Sequence, residues 1–572
     1  MKKNLKKITA VMLSGILTAS SGITSIYAKG DNNQHAPPQN EGGTPPEKPD
    51  GDNSQGPGNG QAPGGANTMT YDYSGTLSAS KNAEGTEETS DGETIDSSTA
   101  DQNSILAQKA GTLTVTKGTL TKSGDDTNGD NCNFYGINSI GLSAGSGSSI
   151  KISDSSLTSD SEGSNGLFAT DSGTIYANND TITTSKGNSR GLDATYSGTI
   201  IANQMNISTQ GDHSASLATD RGGGSVSVTN SSLNTAGSGS PLIYSTGNIQ
   251  VDNVTGTASG SQIAGMEGLN TILIAHSTLS STQTDKTASD PEADGIIIYQ
   301  STSGDAENTT GEAAVFNASD STLKSAITSG SMFYLTNTTA NIVLSDTVLD
   351  FDSDKANLLL VEGNDSNNWG TAGSNGAVVK FTGLGETLSG NITADTISSA
   401  DVYLLDETTW TGAASIEQNS VNTNPADSPL TVNVSSDSKW VVTGDSTVTN
   451  LNVQDGGQVV DSDGKTVTII ANGTMVAEGD SDITITVTGN YGTDFTTDDD
   501  NALSTDYIDR SDFDKTYNVS TTFNTNGSTV INDDTDTSAV KTETSHTSLY
   551  AGIGAAVIAV IVIGILLKKK QK

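Results

Sequence analysis

Carboxylates recur in the first half of the chain at a spacing that would bring them together in a repeating structure. Asp171, Tyr196 and Asp220 are about 25 residues apart, and Asp193 comes just before Tyr196. If one structural unit repeats at this interval, these positions form a column of side chains along one edge. Because Ca²⁺ prefers carboxylate oxygens, the spacing predicts a calcium site at Asp171, Asp193 and Asp220.

Arginines stand beside these carboxylates. Arg190 and Arg221 flank them, and the chain has only one other arginine, Arg510. The alternative interpretation is that these charged residues belong to the solvated surface of an anionic protein. A nucleophile–histidine pair, zinc-ligand spacing and a phosphate-binding loop are all absent from the sequence. The residues therefore predict no catalytic group.

A second acidic segment lies nearer the N-terminus. Residues 125–130, which read Asp-Asp-Thr-Asn-Gly-Asp, resemble the first half of a calcium loop. The bidentate Glu that such a loop carries at its twelfth position is missing, so a plain turn is the alternative. Asp125, Asp126 and Asp130 are the second set of candidate calcium ligands.

Three aromatic residues and one cysteine are further candidates for function. Trp369, Trp410 and Tyr403 could stack on sugar rings, but Tyr403 and Trp410 accompany an apolar strand segment, which favours core packing for both. Trp369 lies in a polar loop, and both interpretations stay open for it. Cys132 is the only cysteine and cannot form an internal disulfide, so we expect a small buried residue or, alternatively, a reactive thiol.

The elements that must position these residues come from an internal repeat. An eight-residue window alternates apolar and other residues, places a turn residue fifth, and ends on an apolar residue. The alternation predicts a strand with one buried face, and Asn or Asp at the fifth place tolerates a left-handed corner. The copies are Leu113–Leu120, Ile150–Leu157, Ile175–Ile182, Ile200–Ile207, Val226–Leu233, Ile272–Leu279, Phe316–Leu323 and Ile342–Leu349, and their corner residues are Lys117, Asp154, Asn179, Gln204, Asn230, His276, Asp320 and Asp346.

A third short strand precedes each window, as at residues 166–170 and 191–195. Three short strands in about 25 residues predict one coil of a parallel β-solenoid. We expect a parallel β-helix over residues 70–429 and further coils or a cap over residues 430–495. An array of β-sandwiches is the alternative, although it would not explain the period or the corner residue.

The Asn or Asp corner resembles the right-handed parallel β-helix of the pectate-lyase-like superfamily, over residues 102–410. Residues 439–448 are similar to the repeats of β-helical adhesin passenger domains. Lyases of this superfamily hold calcium with aspartates and remove a proton with an arginine or lysine, so the resemblance implies these roles for the aspartates and for Arg190 or Arg221. The lyase signature itself is absent, as are the His-Gly and Arg-x-Lys patterns of glycosidases with this fold.

The two ends of the chain indicate export and anchoring. Residues 1–28 combine four lysines, a short apolar core and a small residue at Ala28, which is typical of a signal peptide. Residues 549–567 carry no charge and precede the lysines of residues 568–572, which predicts one membrane helix with a cytoplasmic tail. The order resembles a Gram-positive sorting signal without its Leu-Pro-x-Thr-Gly pentapeptide, so we expect a membrane protein whose main body is extracellular.

Composition defines the remaining segments and the expected partners. Residues 29–69 are rich in Pro and Gly and predict disorder, and residues 496–548 predict a polar stalk with little structure of its own. Without the signal peptide and tail, the chain carries 19 basic and 67 acidic residues, a net charge of −48 that repels nucleic acid and favours cations. Calcium is therefore a possible cofactor.

Two functions fit these features. The first is a non-catalytic, adhesin-like or carbohydrate-binding surface rod, whose partner is an extracellular glycan or a host or matrix surface. The second is a calcium-dependent lyase that acts on acidic polysaccharide, which rests on the resemblance in fold alone. A purely structural role in a surface layer also stays open, and the sequence does not indicate an oligomeric state.

Overall fold

The computed structural model describes residues 69–523 apart from residues 303–304, 307–311 and 366–368. The predicted signal peptide, membrane helix and basic tail lie outside the described residues, as does almost all of the predicted disordered segment. Within the described residues, no helix is both long and apolar enough to cross a membrane.

The chain folds into stacked parallel strands, which confirms the predicted all-β class with parallel strand order. Sheet A has thirteen strands, each paired in parallel with the equivalent strand of the neighbouring coils. In chain order, the strands of sheet A are β1 (Ala79–Glu84), β4 (Asn103–Gln108), β7 (Gly141–Ala144), β10 (Leu167–Thr170), β13 (Leu192–Ala194), β16 (Leu217–Thr219), β18 (Ile243–Ser245), β20 (Ala264–Glu267), β23 (Asp294–Tyr299), β26 (Ser331–Thr336), β29 (Asn357–Val361), β32 (Ile392–Asp395) and β35 (Ala414–Glu417).

Sheet B has 23 strands in two runs, one before and one after the corner of each coil. The first run contains β2 (Glu87–Asp91), β5 (Thr112–Thr116), β8 (Ser149–Ser153), β11 (Thr174–Asn178), β14 (Gly198–Asn203), β21 (Thr271–Ala275), β24 (Ala314–Ser319), β27 (Thr339–Ser345), β30 (Val378–Leu384), β33 (Ser399–Leu405), β36 (Leu430–Val434), β39 (Asn450–Val453) and β44 (Tyr491–Gly492). The second run contains β3 (Thr94–Ser97), β6 (Thr119–Lys122), β9 (Ser156–Ser159), β12 (Thr181–Thr184), β15 (Asn206–Thr209), β22 (Thr278–Ser281), β25 (Thr322–Ser325) and β28 (Val348–Asp350). Two long strands, β17 (Gly224–Thr235) and β19 (Asn248–Ala258), pass through the corner and belong to both runs.

Two four-stranded sheets continue the stack toward the C-terminal end. Sheet C contains β31 (Thr387–Ser389), β34 (Thr409–Gly412), β37 (Lys439–Val442) and β40 (Gln458–Asp461). Sheet D contains β38 (Ser446–Val448), β41 (Thr468–Ala471), β42 (Thr474–Ala477) and β43 (Thr484–Val487), in which β41 and β42 pair in the antiparallel direction. The remaining elements are helix α1 (Gly129–Tyr135), helix α2 (Ser511–Tyr517) and one 3₁₀ turn at Asp499–Asn501.

The predicted corners have the backbone conformation that the sequence requires. All eight predicted corner residues have positive φ values, from +46° at His276 to +61° at Asn179. The sequence pattern missed the copies at residues 88–95, which begin with glutamate, and at residues 249–256, which end with glycine. The corner residue of the second of these copies, Asn253, has a φ of +55° and donates a side-chain hydrogen bond of 2.6 Å to Asn230 in the preceding corner.

The inward side chains of each coil stack on the equivalent side chains of the next coil. Ile175 is in register with Ile150 on one side and Ile200 on the other, and all three are fully buried. Leu192 pairs in the same way with Leu167 and Leu217. Each such side chain removed from water contributes about 2 kcal/mol, so the ladders supply most of the stabilisation that holds the coils in register.

Residues 496–523 differ from the predicted polar stalk, because they lie along the outer face of the first run of sheet B. We call residues 495–523 the C-terminal strap. Its first contacts are an ion pair of 2.6 Å between Asp498 and Lys380 and a hydrogen bond from Asn501 to Thr382. Its later contacts reach coils far earlier in the chain, where the Tyr517 hydroxyl donates to the carbonyl oxygen of Tyr176 at 2.8 Å.

Candidate functional site

The predicted acidic column meets Arg190 at the outer face of sheet A. Arg190 lies two residues before the start of β13, Asp193 lies within β13, and Asp220 follows β16. The Arg190 Nε atom is 3.6 Å from the nearer Asp193 oxygen, and Nη2 is 3.6 Å from Asp220 Oδ2. No more than 1 % of each of the three side chains is exposed, so the ions form a buried cluster rather than a solvated surface.

Helix α1 covers this cluster. Asn128 caps the helix through its side chain, which accepts from the backbone N–H of Asn131, and Gly136 ends it in a left-handed conformation. Asn133 accepts a hydrogen bond of 2.6 Å from Arg190 Nη1, and the Phe134 ring lies 3.5 Å beneath the guanidinium of Arg221. The helix therefore supplies both a polar partner and a cation–π contact to the arginines.

Arg221 extends the cluster to a residue much later in the chain. Its Nε atom is 2.5 Å from the carboxylate of Asp305, which is almost fully buried. Asp220 accepts from the backbone N–H of Arg221 at 2.9 Å. Asp305 could not be predicted from the repeat, because it lies in the connection between β23 and β24, 84 residues beyond Arg221.

Burial controls the protonation of the cluster. It raises the pKa of Asp193 to about 7, although the positive charge of Arg190 acts in the opposite direction. Burial also raises the pKa of Asp220 well above its usual range, again against the effect of Arg190. An arginine that stays protonated and sealed between carboxylates is poorly suited to remove a proton from a polysaccharide.

The other predicted calcium ligands are placed differently. Asp171 lies just after β10 with a φ of +50° and is half-buried, and its carboxylate is near Tyr71. Asp125 accepts from the backbone N–H of Glu162 at 2.9 Å, so it braces one loop against the next coil. Asp126 is half-buried, and desolvation raises the pKa of its carboxyl.

Asp130 lies in the first turn of α1, where a carboxylate stabilises the helix N-terminus. Throughout the described part of the chain, no group of three or more His, Cys, Asp or Glu side chains is arranged to hold a metal ion. The calcium ligands proposed from the sequence therefore stay a prediction.

The candidate sugar-stacking residues pack against other aromatic rings. Trp410 is fully buried and stacks on Trp440 with a centroid distance of 4.8 Å, which confirms its predicted place in the core. Trp369 is also buried and stacks on Tyr299 at 4.1 Å. Tyr403 is half-buried against Phe495 of the C-terminal strap. Cys132, in α1, is buried, as expected for a small apolar residue.

The second run of sheet B carries a regular exposed surface that the sequence analysis missed. In seven successive coils, the strand of this run presents two uncharged polar side chains on either side of one inward residue, as in Thr181-Ile182-Thr183, whereas the flanking strands β3 and β25 carry Asp96 and Lys324 at the second outward position. The repeat could have been found in the sequence, because the second and fourth positions after each corner are also periodic. We call this surface the hydroxyl face, and it comprises Thr119, Thr121, Ser156, Thr158, Thr181, Thr183, Asn206, Ser208, Ser232, Asn234, Thr255, Thr257, Thr278 and Ser280.

The register of the strands makes the hydroxyl face a two-column lattice. Thr181 pairs with Ser156 on one side and Asn206 on the other, and Thr183 pairs with Thr158 and Ser208. Seven coils contribute, so steps of ~4.8 Å give a length of ~29 Å, with about 7 Å between the columns. Every one of the fourteen side chains is uncharged, whereas the chain as a whole has a net charge of −40.

The other two faces are covered by the chain itself. The outward residues of sheet A include Ala218, Tyr244 and Ile297, which are almost fully buried. The C-terminal strap covers the outward residues of the first run of sheet B, where Gln250 donates to the carbonyl oxygen of Asp506 at 2.8 Å. The hydroxyl face is thus open along seven coils, because the chain does not cover the outer surface of these strands of the second run.

Comparisons with known proteins give no family assignment. No protein-family model, no curated protein and no experimentally determined structure matches the chain. The geometry of the described residues is therefore the basis for any functional proposal.

Proposed function

We propose that the protein is a non-catalytic, adhesin-like surface rod of a Gram-positive-type bacterium that binds extracellular carbohydrate through its hydroxyl face. The observation that carries this proposal is the open, uncharged lattice of fourteen polar side chains. Hydroxyl and amide groups at regular intervals can pair with the hydroxyls of an extended polysaccharide, and repeated weak contacts add up over seven coils.

Charge favours a neutral glycan as the partner. The rest of the anionic chain repels acidic polysaccharides at long range, and the hydroxyl face has no cation to attract them. The predicted signal peptide and the predicted membrane helix at residues 549–567 support display of this rod outside the cell, anchored to the membrane by one C-terminal helix.

The lyase alternative has less support from the geometry. A lyase needs its base and metal site open to the substrate, whereas Arg190, Asp193 and Asp220 are sealed beneath α1. The resemblance in fold to a superfamily that contains lyases does not by itself imply their activity.

A binding assay on neutral and acidic polysaccharides tests the proposal. We expect the full-length protein to bind at least one neutral polysaccharide and to lose at least tenfold in affinity in the double variant Thr181→Lys/Thr183→Lys. The matched control is Thr486→Lys, since Thr486 is an exposed strand threonine outside the hydroxyl face. Equal binding by both variants would contradict the assignment of the face. Release of unsaturated uronate from pectin or alginate, lost in Arg190→Ala, would favour the lyase instead.

A further inference from the structure

Two buried carboxyl groups lie apart from the cluster around Arg190, one in the connection between β22 and β23 and the other at the first residue of β23. Asp290 is 2 % exposed and Asp294 is 5 % exposed. Asp290 Oδ2 accepts a hydrogen bond of 3.2 Å from Gln262 Nε2. Asp290 Oδ1 and both oxygens of Asp294 are buried without a hydrogen-bond partner among the described residues. Such an arrangement costs stability, which calls for a functional explanation.

The residue after Asp290 is Pro291, and the peptide bond between them is unusual in its chemistry. A proline nitrogen carries no hydrogen and belongs to a tertiary amide, so this nitrogen forms no hydrogen bond that would hold the amide in place. An aspartate side chain can reach its own main-chain carbonyl carbon, because closure gives a five-membered ring. The Asp290–Pro291 bond therefore combines a nearby nucleophile with an amine that is a favourable leaving group.

The backbone just before this bond forms a strained turn. Ala288 has a φ of +45°, an unfavourable conformation for alanine, and the N–H of Asp290 donates to the carbonyl oxygen of Thr287 at 3.1 Å. Thr287 is tied to the preceding coils, since its hydroxyl donates to Gly260 O at 2.8 Å and accepts from Gly239 N at 3.1 Å.

We propose that the Asp290–Pro291 bond is a self-cleavage site, in which the Asp290 carboxylate is the nucleophile and Asp294 donates the proton to the leaving nitrogen. A side-chain oxygen of Asp290 attacks its own main-chain carbonyl carbon and forms a cyclic anhydride. The C–N bond to Pro291 breaks, and its electron pair goes to the nitrogen, which takes the proton from Asp294. One water molecule then opens the anhydride, yields two carboxyl groups at Asp290, and returns a proton to Asp294.

The environments of the two carboxyl groups support these different roles. Gln262 donates a hydrogen bond to Asp290, and the ammonium group of Lys286 lies in the same loop, so both favour the ionised form of Asp290. Asp294 is the first residue of β23, and Ile297 in the same strand pairs with Tyr334 of β26. The carboxyl group of Asp294 accepts no hydrogen bond from any described residue. Burial raises the pKa of both carboxyls, and the charge of Asp294 further raises the pKa of Asp290, so the pair shares one proton above the usual range of aspartate.

The fold would hold the two products together after cleavage. Strand β23 pairs with β20, and β25 pairs with β22, so the ladders on both sides of the cut stay intact. The C-terminal strap belongs to the second fragment but binds coils of the first, where Arg510 donates to the carbonyl oxygens of Ser227 and Ala202 at 2.9 Å. Cleavage would thus give a two-chain rod rather than two separate pieces.

Intact mass spectrometry of the purified full-length protein, incubated between pH 4 and pH 8, tests the proposal. We expect two fragments, one ending at Asp290 and one beginning at Pro291, which separate in denaturant but migrate as one species under native conditions. The rate should pass through a maximum with pH, because the reaction needs one ionised and one protonated carboxyl.

Variants separate this reaction from other causes of cleavage. Asp290→Ala should abolish the fragments, whereas Asp294→Asn and Pro291→Ala should each slow their formation at least tenfold. Asp285→Asn, at an exposed aspartate in the same loop, is the matched control and should cleave like the wild type. Circular dichroism checks that each variant is folded. Absence of fragments from the wild type, equal cleavage of Asp290→Ala, or an equal rate in urea would each overturn the proposal.

Discussion

Among individual residues, Asp193 shows most clearly the free-energy cost of burying a charged side chain. In the register of sheet A, Asp193 lies between Phe168 on one neighbouring strand and Ala218 on the other, and its side chain is fully buried. Arg190 offsets part of this cost, but at 3.6 Å it forms an ion pair without a direct hydrogen bond to Asp193. A buried pair of this kind contributes little to net stability, although loss of one partner is expensive.

The stability of the protein should therefore depend on the protonation of Asp193. Its pKa is raised to about 7 in the folded state, whereas an unfolded aspartate titrates near 3.9. The folded state then binds the proton more tightly, so this contribution is fully present below about pH 4 and is lost as pH rises through about 7.

The variant Asp193→Asn should remove this dependence. We expect the free energy of unfolding, measured in urea, to fall less between pH 5 and pH 8 in the variant than in the wild type. Asp212→Asn is the control, because Asp212 is exposed and accepts a hydrogen bond from the backbone N–H of Ser238 rather than forming an ion pair. Parallel pH profiles for wild type and Asp193→Asn would show that Asp193 does not titrate in this range.

The sequence could predict part of this cluster and not the rest. The 25-residue spacing correctly placed Asp193 and Asp220 on neighbouring coils beside Arg190, because register follows from the repeat. Asp305 and Asn133 come from irregular connections whose path the repeat does not determine. The eight-residue window is defined by apolar residues that point inward, so it did not predict the outward-facing hydroxyl face.

At the scale of single elements, the corner between the two runs of sheet B is the feature that the sequence predicted best. Asn179 has a φ of +61° and donates to Asp154 Oδ1 in the preceding corner at 2.6 Å. Valine tolerates this left-handed conformation poorly and cannot form the hydrogen bond.

Replacing Asn179 by valine should cost about 1–2 kcal/mol of stability, chiefly through the left-handed backbone. Thermal melting followed by circular dichroism measures the loss. Thr181→Val, two residues away on an exposed strand position, should leave the melting temperature nearly unchanged, since valine favours strands. If the two variants melted alike, the corner conformation would not be a source of stability.

The C-terminal strap is the element that the sequence misrepresented. Its many Asp, Thr, Ser and Asn residues are typical of an unstructured stalk, but two of its phenylalanines are buried. Phe513 is fully buried and packs edge-on to Tyr176, and Phe523 packs beside Tyr507. The residue that could have indicated a packed strap in the sequence was Arg510, which is a single arginine among many acidic residues.

Arg510 fixes the strap to the stacked coils. It is buried, and burial lowers its pKa to about 10, so it stays protonated at neutral pH. Its guanidinium donates to Ala202 O, Ser227 O and Thr229 Oγ1, among others. Arg510→Met would leave these acceptors unpaired, and we expect a loss of about 3 kcal/mol in the local stability of the strap.

Hydrogen exchange of residues 496–523 measures this loss directly, as faster exchange in Arg510→Met. Lys515→Met is the matched control, because Lys515 is an exposed cation in the same strap. Exchange should rise in the strap without a comparable change in β11 or β14, whose ladders do not depend on it. Unchanged exchange in Arg510→Met would mean that the aromatic contacts alone hold the strap.

For the whole molecule, repulsion among the acidic side chains opposes folding, and bound cations should reduce this repulsion. The chain without its signal peptide and tail carries −48 charges, and stacking the coils brings these charges closer together than in the unfolded chain. We expect millimolar calcium to raise the melting temperature, by binding to the folded state more than to the unfolded chain. Magnesium, and sodium at equal ionic strength, distinguish site binding from ordinary screening.

The placement of the acidic side chains decides how the calcium experiment should be interpreted. The guanidinium of Arg190 already lies between Asp193 and Asp220, where the sequence predicted a metal ion. A calcium-specific effect would therefore have to come from more exposed carboxylates such as Asp171, and it should weaken in Asp171→Asn. An equal rise with calcium and magnesium, unchanged in Asp171→Asn, would assign the effect to general screening of an anionic rod. No rise with either ion would show that the folded and unfolded chains bind cations equally.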